Sequence, residues 1–345
     1  MTYSAVIFGR PYSATVSADL EGPYVKIKYG STHGLAIDAD GYLWATGYNN
    51  VGQLGRGNTT SSPWPAWVQI GTAKWKDIAV GGGASVGIQE DGSLWHWGNY
   101  VSVTSTSPVL LDSGDWESVE GSYNYPHFLA INSAGALYSW GYNGSGELGI
   151  GSYDNTNTPT LVDSGPWECA YGSDYTSVGL KSNGSLYVWG KTYLGDYWTT
   201  SSTPVLVGAG YKHCATGLDV VFGIKTDGTL WSWGYASYSA ANGGLLGLDD
   251  IMSVYTPTQV AGSDWERIHS FANHALALQS TGAMYGWGAN QYSCIDDSAD
   301  MNIYIPRPIG ETVYNEVYAG YRVSLALAGG GISVFWTAFK GQTER

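Results

Sequence analysis

A seven-residue phrase, Gly-x-Leu-aromatic-x-Trp-Gly, recurs along this chain and limits its fold more tightly than any other feature of the 345 residues. Four copies are regular: Gly92-Ser-Leu94-Trp95-His-Trp97-Gly98, Gly135-Ala-Leu137-Tyr138-Ser-Trp140-Gly141, Gly184-Ser-Leu186-Tyr187-Val-Trp189-Gly190 and Gly228-Thr-Leu230-Trp231-Ser-Trp233-Gly234. Two are altered, at Gly41-Tyr-Leu43-Trp44-Ala-Thr46-Gly47 and Gly282-Ala-Met284-Tyr285-Gly-Trp287-Gly288, and a degenerate seventh starts at Gly330. The lead glycines stand at 41, 92, 135, 184, 228, 282 and 330, giving steps of 51, 43, 49, 44, 54 and 48 residues. A repeat of this length belongs to a propeller or a solenoid, where each unit buries its apolar face only against its neighbours.

One copy shows the plan. Trp75–Gly81, Ser85–Ile88, Leu94–Trp97 and Pro108–Leu111 are four short apolar or alternating runs. Asp91-Gly92 between the second and third is a hairpin signal, because Gly accepts positive φ. Leu94-Trp95-His96-Trp97 alternates as a half-buried strand does. Pro108 suits an outer edge strand, where its missing N–H goes unused. Four strands per repeat is the blade size of a propeller. Opening aromatics recur at Tyr24, Trp75, Trp116, Trp167, Tyr211, Trp265 and Tyr314, and prolines at 65, 108, 159, 204, 257 and 308 mark the outer strands.

A solenoid needs distinct polar caps. Here the ends are complementary instead. The last copy stops near Phe339 without an outer strand, and Tyr3–Phe8 and Tyr12–Val16 are spare β-prone segments. The sequence therefore predicts an all-β fold, a seven-bladed β-propeller of about four-stranded blades. It predicts one domain over residues 1–345, with repeats over about 24–336 and residues 1–23 closing the ring by completing the last blade.

Composition narrows the function. The net charge is −14 and the pI near 4.6, which disfavours nucleic acid and anionic membrane surfaces. No run of 18 apolar residues stands in the chain, so no membrane insertion is expected, and the first ten residues lack a signal-peptide pattern. Cys169 and Cys214 occupy comparable places in their repeats, one residue out of register, and read as small buried hydrophobes rather than a redox pair. Cys294 reads as a free thiol in a loop.

After the third strand the best copy continues as Gly47-Tyr-Asn49-Asn-Val-Gly52-Gln53-Leu54-Gly55-Arg-Gly57, and another as Gly141-Tyr-Asn143-Gly-Ser-Gly146-Glu147-Leu148-Gly149-Ile-Gly151. A weaker echo is Gly244-Leu-Leu246-Gly247. Together with the turn pairs and the later Pro-x-x-Val, these elements resemble the regulator of chromosome condensation repeat over roughly residues 24–336. The resemblance implies a seven-bladed propeller. Its founding member exchanges nucleotide on a small nuclear GTPase and docks on nucleosomes; relatives include ubiquitin ligase modules and photoreceptors. This chain departs from the founding member in being acidic, in lacking a basic tail, and in having no long insertion to act as an exchange wedge.

Catalytic and metal chemistry finds little support. His33, His127 and His274 recur in register, but Ala84, Thr176, Val220 and Val323 fill that position elsewhere, so it reads as structural. Asp249-Asp250 and Asp296-Asp297 lack the alternating oxygen ligands of a calcium loop and read as solvated loop acids. Gly81-Gly-Gly83 precedes a strand and lacks the Lys-Ser/Thr ending of a phosphate loop. The sequons at Asn58, Asn143 and Asn183 read as turns. No nucleophile context is present. The expectation is a protein that is not an enzyme and takes no cofactor and no metal.

The loops after the third strands carry the recognition signal. Tyr48, Tyr100, Tyr142, Tyr193 and Tyr235 follow those strands, accompanied by Asn49 and Asn143, with Trp198 outside the repeat core. Tyr gives contact area at low entropic cost, and aromatic faces beside amides suit sugars. Tyr48, Asn49, Tyr142, Asn143, Tyr193, Trp198 and Tyr235 are the candidate binding residues; the competing reading packs these tyrosines under their own loops. The favoured function is a non-enzymatic recognition or structural module for protein partners or surface glycans, either virion-associated, as part of a larger phage particle, or cytoplasmic. The alternative is an intracellular regulator such as a guanine nucleotide exchange factor.

Overall fold

Each repeat folds as an antiparallel meander because its turn glycines accept a backbone that other residues resist. Gly41, Gly92, Gly135, Gly184, Gly228 and Gly282 all sit at φ between 78° and 84° in the hairpin joining the second and third strands. The computed structural model describes residues 24–335 apart from 63–65, 102, 196, 236–243, 250–252, 291–293, 297, 299, 321–322 and 329–330. Strands and turns account for all of the described secondary structure, and no helix among the described residues is long and apolar enough to cross a membrane.

The first unit comprises β1 (Tyr24–Tyr29), β2 (His33–Asp38), β3 (Tyr42–Gly47) and the first half of β4 (Val68–Gly81). From Trp75, β4 becomes the inner strand of the second unit, which adds β5 (Ala84–Gln89), β6 (Leu94–Tyr100) and β7 (Val103–Asp112). The third is β8 (Trp116–Gly121), β9 (His127–Asn132), β10 (Leu137–Gly141) and β11 (Thr156–Asp163). The fourth is β12 (Trp167–Gly172), β13 (Thr176–Lys181), β14 (Leu186–Thr192) and β15 (Thr199–Gly208). The fifth is β16 (Tyr211–Gly217), β17 (Val220–Lys225), β18 (Leu230–Gly234) and β19 (Val254–Gln259). The sixth is β20 (Trp265–Phe271), β21 (His274–Gln279), β22 (Met284–Ala289) and β23 (Asn302–Pro308). A three-stranded sheet follows: β24 (Glu316–Gly320), β25 (Val323–Ala328) and β26 (Gly331–Phe335). The segment expected to complete it, residues 1–23, lies outside the described residues.

The inner strands β1, β4, β8, β12, β16, β20 and β24 each neighbour the next, and β24 also touches β1. Residues from all of them line one central cavity. The second strands are the most buried: β2, β5, β9, β13, β17 and β21 share a pattern of five buried residues followed by one half-buried. The outer strands are largely exposed. Pro108, Pro159, Pro204 and Pro257 fall within them rather than at their starts, which an edge strand tolerates.

The opening aromatics knit the units. Trp75 lies over Gly87, where an added Cβ would come within 2.6 Å of the indole. It also meets Trp97 edge-on at 5.6 Å, in a cluster with Leu35, Ile37 and Leu43 of the preceding unit. Burying about 150–250 Å² of such a ring contributes roughly 4–6 kcal/mol at ~25 cal/mol/Å². One register shift recurs at the second residue of each inner strand from β1 to β20, for example between Trp167 and Cys169. This β-bulge sets which side chains turn toward the central cavity.

Candidate functional site

Strand direction places two sets of connections on one face: those joining first to second strands and those joining third to fourth. All seven candidate binding residues belong to these connections or flank them. The structure divides them into a buried frame and an exposed patch.

Asn49 and Asn143 belong to the frame, which corrects the expectation that they face a partner. Both are fully buried. Asn49 donates from Nδ2 to the Asn58 and Thr60 carbonyls at 2.9 and 3.0 Å and accepts at Oδ1 from Leu54 N at 2.8 Å. Asn143 does the same with Ser152, Asp154 and Leu148. Each side chain thus replaces backbone partners that a long loop would otherwise lack. The loops then seat on the next unit: Trp97 Nε1 donates to Gln53 O, Trp189 Nε1 to Glu147 O and Trp287 Nε1 to Leu245 O, each at 2.9 Å.

Tyr193 is also part of the frame. After β6 and β14 there is no Gly-x-Leu-Gly loop, and a tyrosine fills the space instead. Tyr100 and Tyr193 are 1% and 0% exposed. Tyr100 donates its hydroxyl to Asn157 O at 3.0 Å, and Tyr193 donates to Asp219 Oδ1 at 2.6 Å. Burial, then the Asp219 charge, pushes the Tyr193 phenol well above its ordinary range. The tryptophans that follow these short units, Trp140 and Trp233, have no acceptor for their indole N–H among the described residues. The short repeat steps of 43 and 44 residues are therefore the units with a tyrosine wedge.

The histidines in register tie units together. His33, His127 and His274 contact Ser85, Ser177 and Ser324 of the next unit through Nε2 at 2.7, 2.9 and 3.0 Å. Those serine hydroxyls donate to the carbonyls of Gln53, Glu147 and Cys294, so each must accept from the histidine, which fixes the Nε2–H tautomer. Burial lowers the His33 imidazole to about 3 and His127 to about 4, so both are neutral at physiological pH. Asp296 is not a freely solvated acid: it pairs with Arg307 at 2.8 Å. No group of three or more metal-ligating side chains occurs among the described residues. Asp250 and Asp297 lie outside those residues.

The exposed patch is a run of rings over the third to fifth units. Tyr142, half-buried, meets Tyr125 edge-on at 6.0 Å, and Tyr125 tilts over Tyr175 at 5.3 Å. Lys191 Nζ lies 5.9 Å from the Tyr175 ring and 5.3 Å from the Trp198 ring, and pairs with Asp219 at 3.4 Å. Tyr235 donates its backbone N–H to Asp219 O at 2.8 Å. Tyr125, Trp198 and Tyr235 are 46%, 53% and 40% exposed. Tyr48, 65% exposed on the first unit, lies outside this run. The sequence does not single out Tyr125, Tyr175 and Asp219, because the first-to-second strand loops vary in length, nor Lys191 at the end of β14, and only the fold places them beside the Tyr142 and Trp198 loops.

The central cavity narrows toward this face. Its wide end, about 250 Å³, is lined by the early residues of the inner strands, including Lys26, Glu168, Cys169 and Arg267. At the other end Tyr123 and Phe271, from the third and sixth units, meet edge-on at 5.4 Å.

Comparison with known proteins agrees with this geometry. Residues 40–88 and 134–178 match a family model described as regulator of chromosome condensation (RCC1) repeat, and a second model of the same description matches residues 24–53. The matched stretches carry repeats of this description. It is 27% identical over 290 residues to the human E3 ubiquitin-protein ligase HERC2, covering 80% of this chain but 5% of that protein. It is 24% identical over 299 residues to the ultraviolet-B receptor UVR8 of Arabidopsis thaliana, covering 82% of this chain and 58% of the receptor. The chain thus spans less than two thirds of these relatives. Among solved structures, human WBSCR16 superposes with a TM-score of 0.77 at 18% identity, covering 90% of this chain and 87% of that one. Prp20p from Saccharomyces cerevisiae gives 0.74 at 17%, covering 88% and 82%. These likenesses show a shared propeller fold. None of them supports a place on a virion or a phage particle.

Proposed function

We propose that this chain is a seven-bladed propeller and a single domain, closed by residues 1–23, that acts as a non-enzymatic recognition module for a protein partner. The ring of inner strands around one cavity and the contact of β24 with β1 support the closure. The surface run Tyr142–Tyr125–Tyr175–Lys191–Trp198, in which Tyr125 and Trp198 are exposed, carries the functional reading. Exposed aromatics grouped on a rigid frame are the chemistry of a protein interface core, and monomer surfaces seldom gather them. The Prp20p structure is described with its binding to Gsp1p and histones, and yeast RCC1 (Prp20) has been solved bound to Kap60, so the fold supports protein docking in that relative.

The test is capture of partners by the intact chain against Tyr142→Ala/Trp198→Ala, with Asp40→Ala/Glu90→Ala on the hairpin face as control. The patch variant loses the partner and the control keeps it; the reverse pattern refutes this face. A glycan array separates protein from surface-glycan recognition. The exchange-factor reading rests on the repeats themselves, and release of a mant-labelled guanine nucleotide from candidate small GTPases decides it.

A further inference from the structure

The notable cluster outside the recognition face lies at the wide end of the central cavity. Cys169 on β12 and Cys214 on β16 have their sulfurs 3.8 Å apart, across the junction of the fourth and fifth units. Both are free thiols. Their one-residue offset brings them together. Pairing through the bulges aligns Cys169 with His213 and Ala170 with Cys214. Successive strand residues point to opposite faces, so Cys169 turns to the cavity and Cys214 into the inter-unit core, each at the edge facing the other. Cys214 is fully buried, while Cys169 is half-buried and lines the cavity. The same cavity wall includes Lys26 and Glu316, whose side chains are 32% and 34% exposed, so small solutes reach it from solvent.

We infer that Cys169 and Cys214 form a reversible disulfide between the fourth and fifth units when the protein meets a hydroperoxide. A bond of about 2.05 Å requires the sulfurs to approach by under ~2 Å, within the range of side-chain rotation on two adjacent strands. The cavity-facing Cys169 thiolate attacks the peroxide oxygen, the O–O bond breaks, and hydroxide or alkoxide leaves with the electron pair. Cys169 is then a sulfenic acid. The Cys214 sulfur attacks the Cys169 sulfur, its proton joins the departing hydroxyl, and water leaves. Two thiols are oxidised and one peroxide is reduced to water or alcohol plus water. Burial raises the Cys214 thiol, which agrees with Cys169 as the attacking and Cys214 as the resolving group. The bond ties two inner strands, β12 and β16, that belong to different sheets and share no backbone ladder.

The test treats the reduced full chain with hydrogen peroxide. Thiol titration under denaturing conditions should fall from three to one. The mass should drop by two hydrogen atoms, non-reducing peptide mapping should recover a Cys169–Cys214 pair, and the apparent Tm should rise until dithiothreitol reverses it. Cys294→Ser should keep all of this. Cys214→Ala, which retains an apolar core side chain, should leave Cys169 as a sulfenic acid trapped by dimedone. Failure to oxidise, a bridge to Cys294 or between chains, or stable dimedone labelling of Cys169 in the parent chain would each overturn the inference.

Discussion

Tyr193 separates the frame from the recognition surface most cleanly. Its ring is fully buried and its hydroxyl donates to the Asp219 carboxylate at 2.6 Å. Tyr193→Phe removes one hydrogen bond to a charged group, worth about 1.5–3 kcal/mol, while Asp219 keeps Lys191 at 3.4 Å. Tyr193→Ala also empties the wedge between β14 and the Trp233 cluster, and large-to-small changes of buried aromatics cost about 3–5 kcal/mol. With an unfolding entropy of roughly 2.1 cal/mol/K per residue, a chain of this length loses about 3 °C of Tm for the first variant and about 6 °C for the second. Differential scanning calorimetry measures both, with Tyr235→Ala as an exposed comparison expected to change stability by less than ~0.5 kcal/mol. If Tyr193→Ala melts with the parent chain and instead abolishes partner binding, the wedge account is wrong and Tyr193 is a contact residue.

Asn143→Ala strips a buried loop of three backbone partners and should destabilise by about 1–3 kcal/mol in chemical denaturation, whereas Tyr48→Ala should be neutral. Gly149→Ala forces a side chain at φ 71° within 2.7 Å of the Trp189 indole nitrogen, and a clear loss of Tm is expected. His33 and His127 are held near 3 and 4, below the unfolded value of about 6.5, so the unfolded chain binds more protons across that window. Their contribution is complete above about pH 6.5 and is lost as pH falls toward 3–4; Tm measured against pH should fall less steeply in His33→Gln than in the parent chain.

The frame was legible because its residues do one job in every unit. The Asp-Gly hairpins, the opening aromatics and Leu-aromatic-x-Trp strands each recur where the same packing problem recurs. The function of the loops was less legible, because one residue type serves opposite ends there. Tyr142 and Tyr193 follow equivalent strands, yet one lies on the surface and the other inside. What differs is loop length: a Gly-x-Leu-Gly loop after Tyr142 fills the inter-unit gap, and its absence after β14 draws Tyr193 in. The histidine partners leave a signal in the sequence. Serine follows the equivalent position in the second, fourth and seventh units, each next to a unit that carries a histidine. From the sequence, Cys169 and Cys214 read as small buried hydrophobes at comparable places in their repeats, one residue out of register, rather than as a redox pair. With a period of two, that offset sets which faces the sulfurs occupy.

The recognition claim is most directly tested by site-specific photocrosslinking. A photoreactive residue at Tyr142 or Trp198 should capture a protein partner, and the same residue at Glu90 on the opposite face should not. Capture at Glu90 alone, or a partner that binds Tyr142→Ala/Trp198→Ala as tightly as the parent chain, would contradict the account.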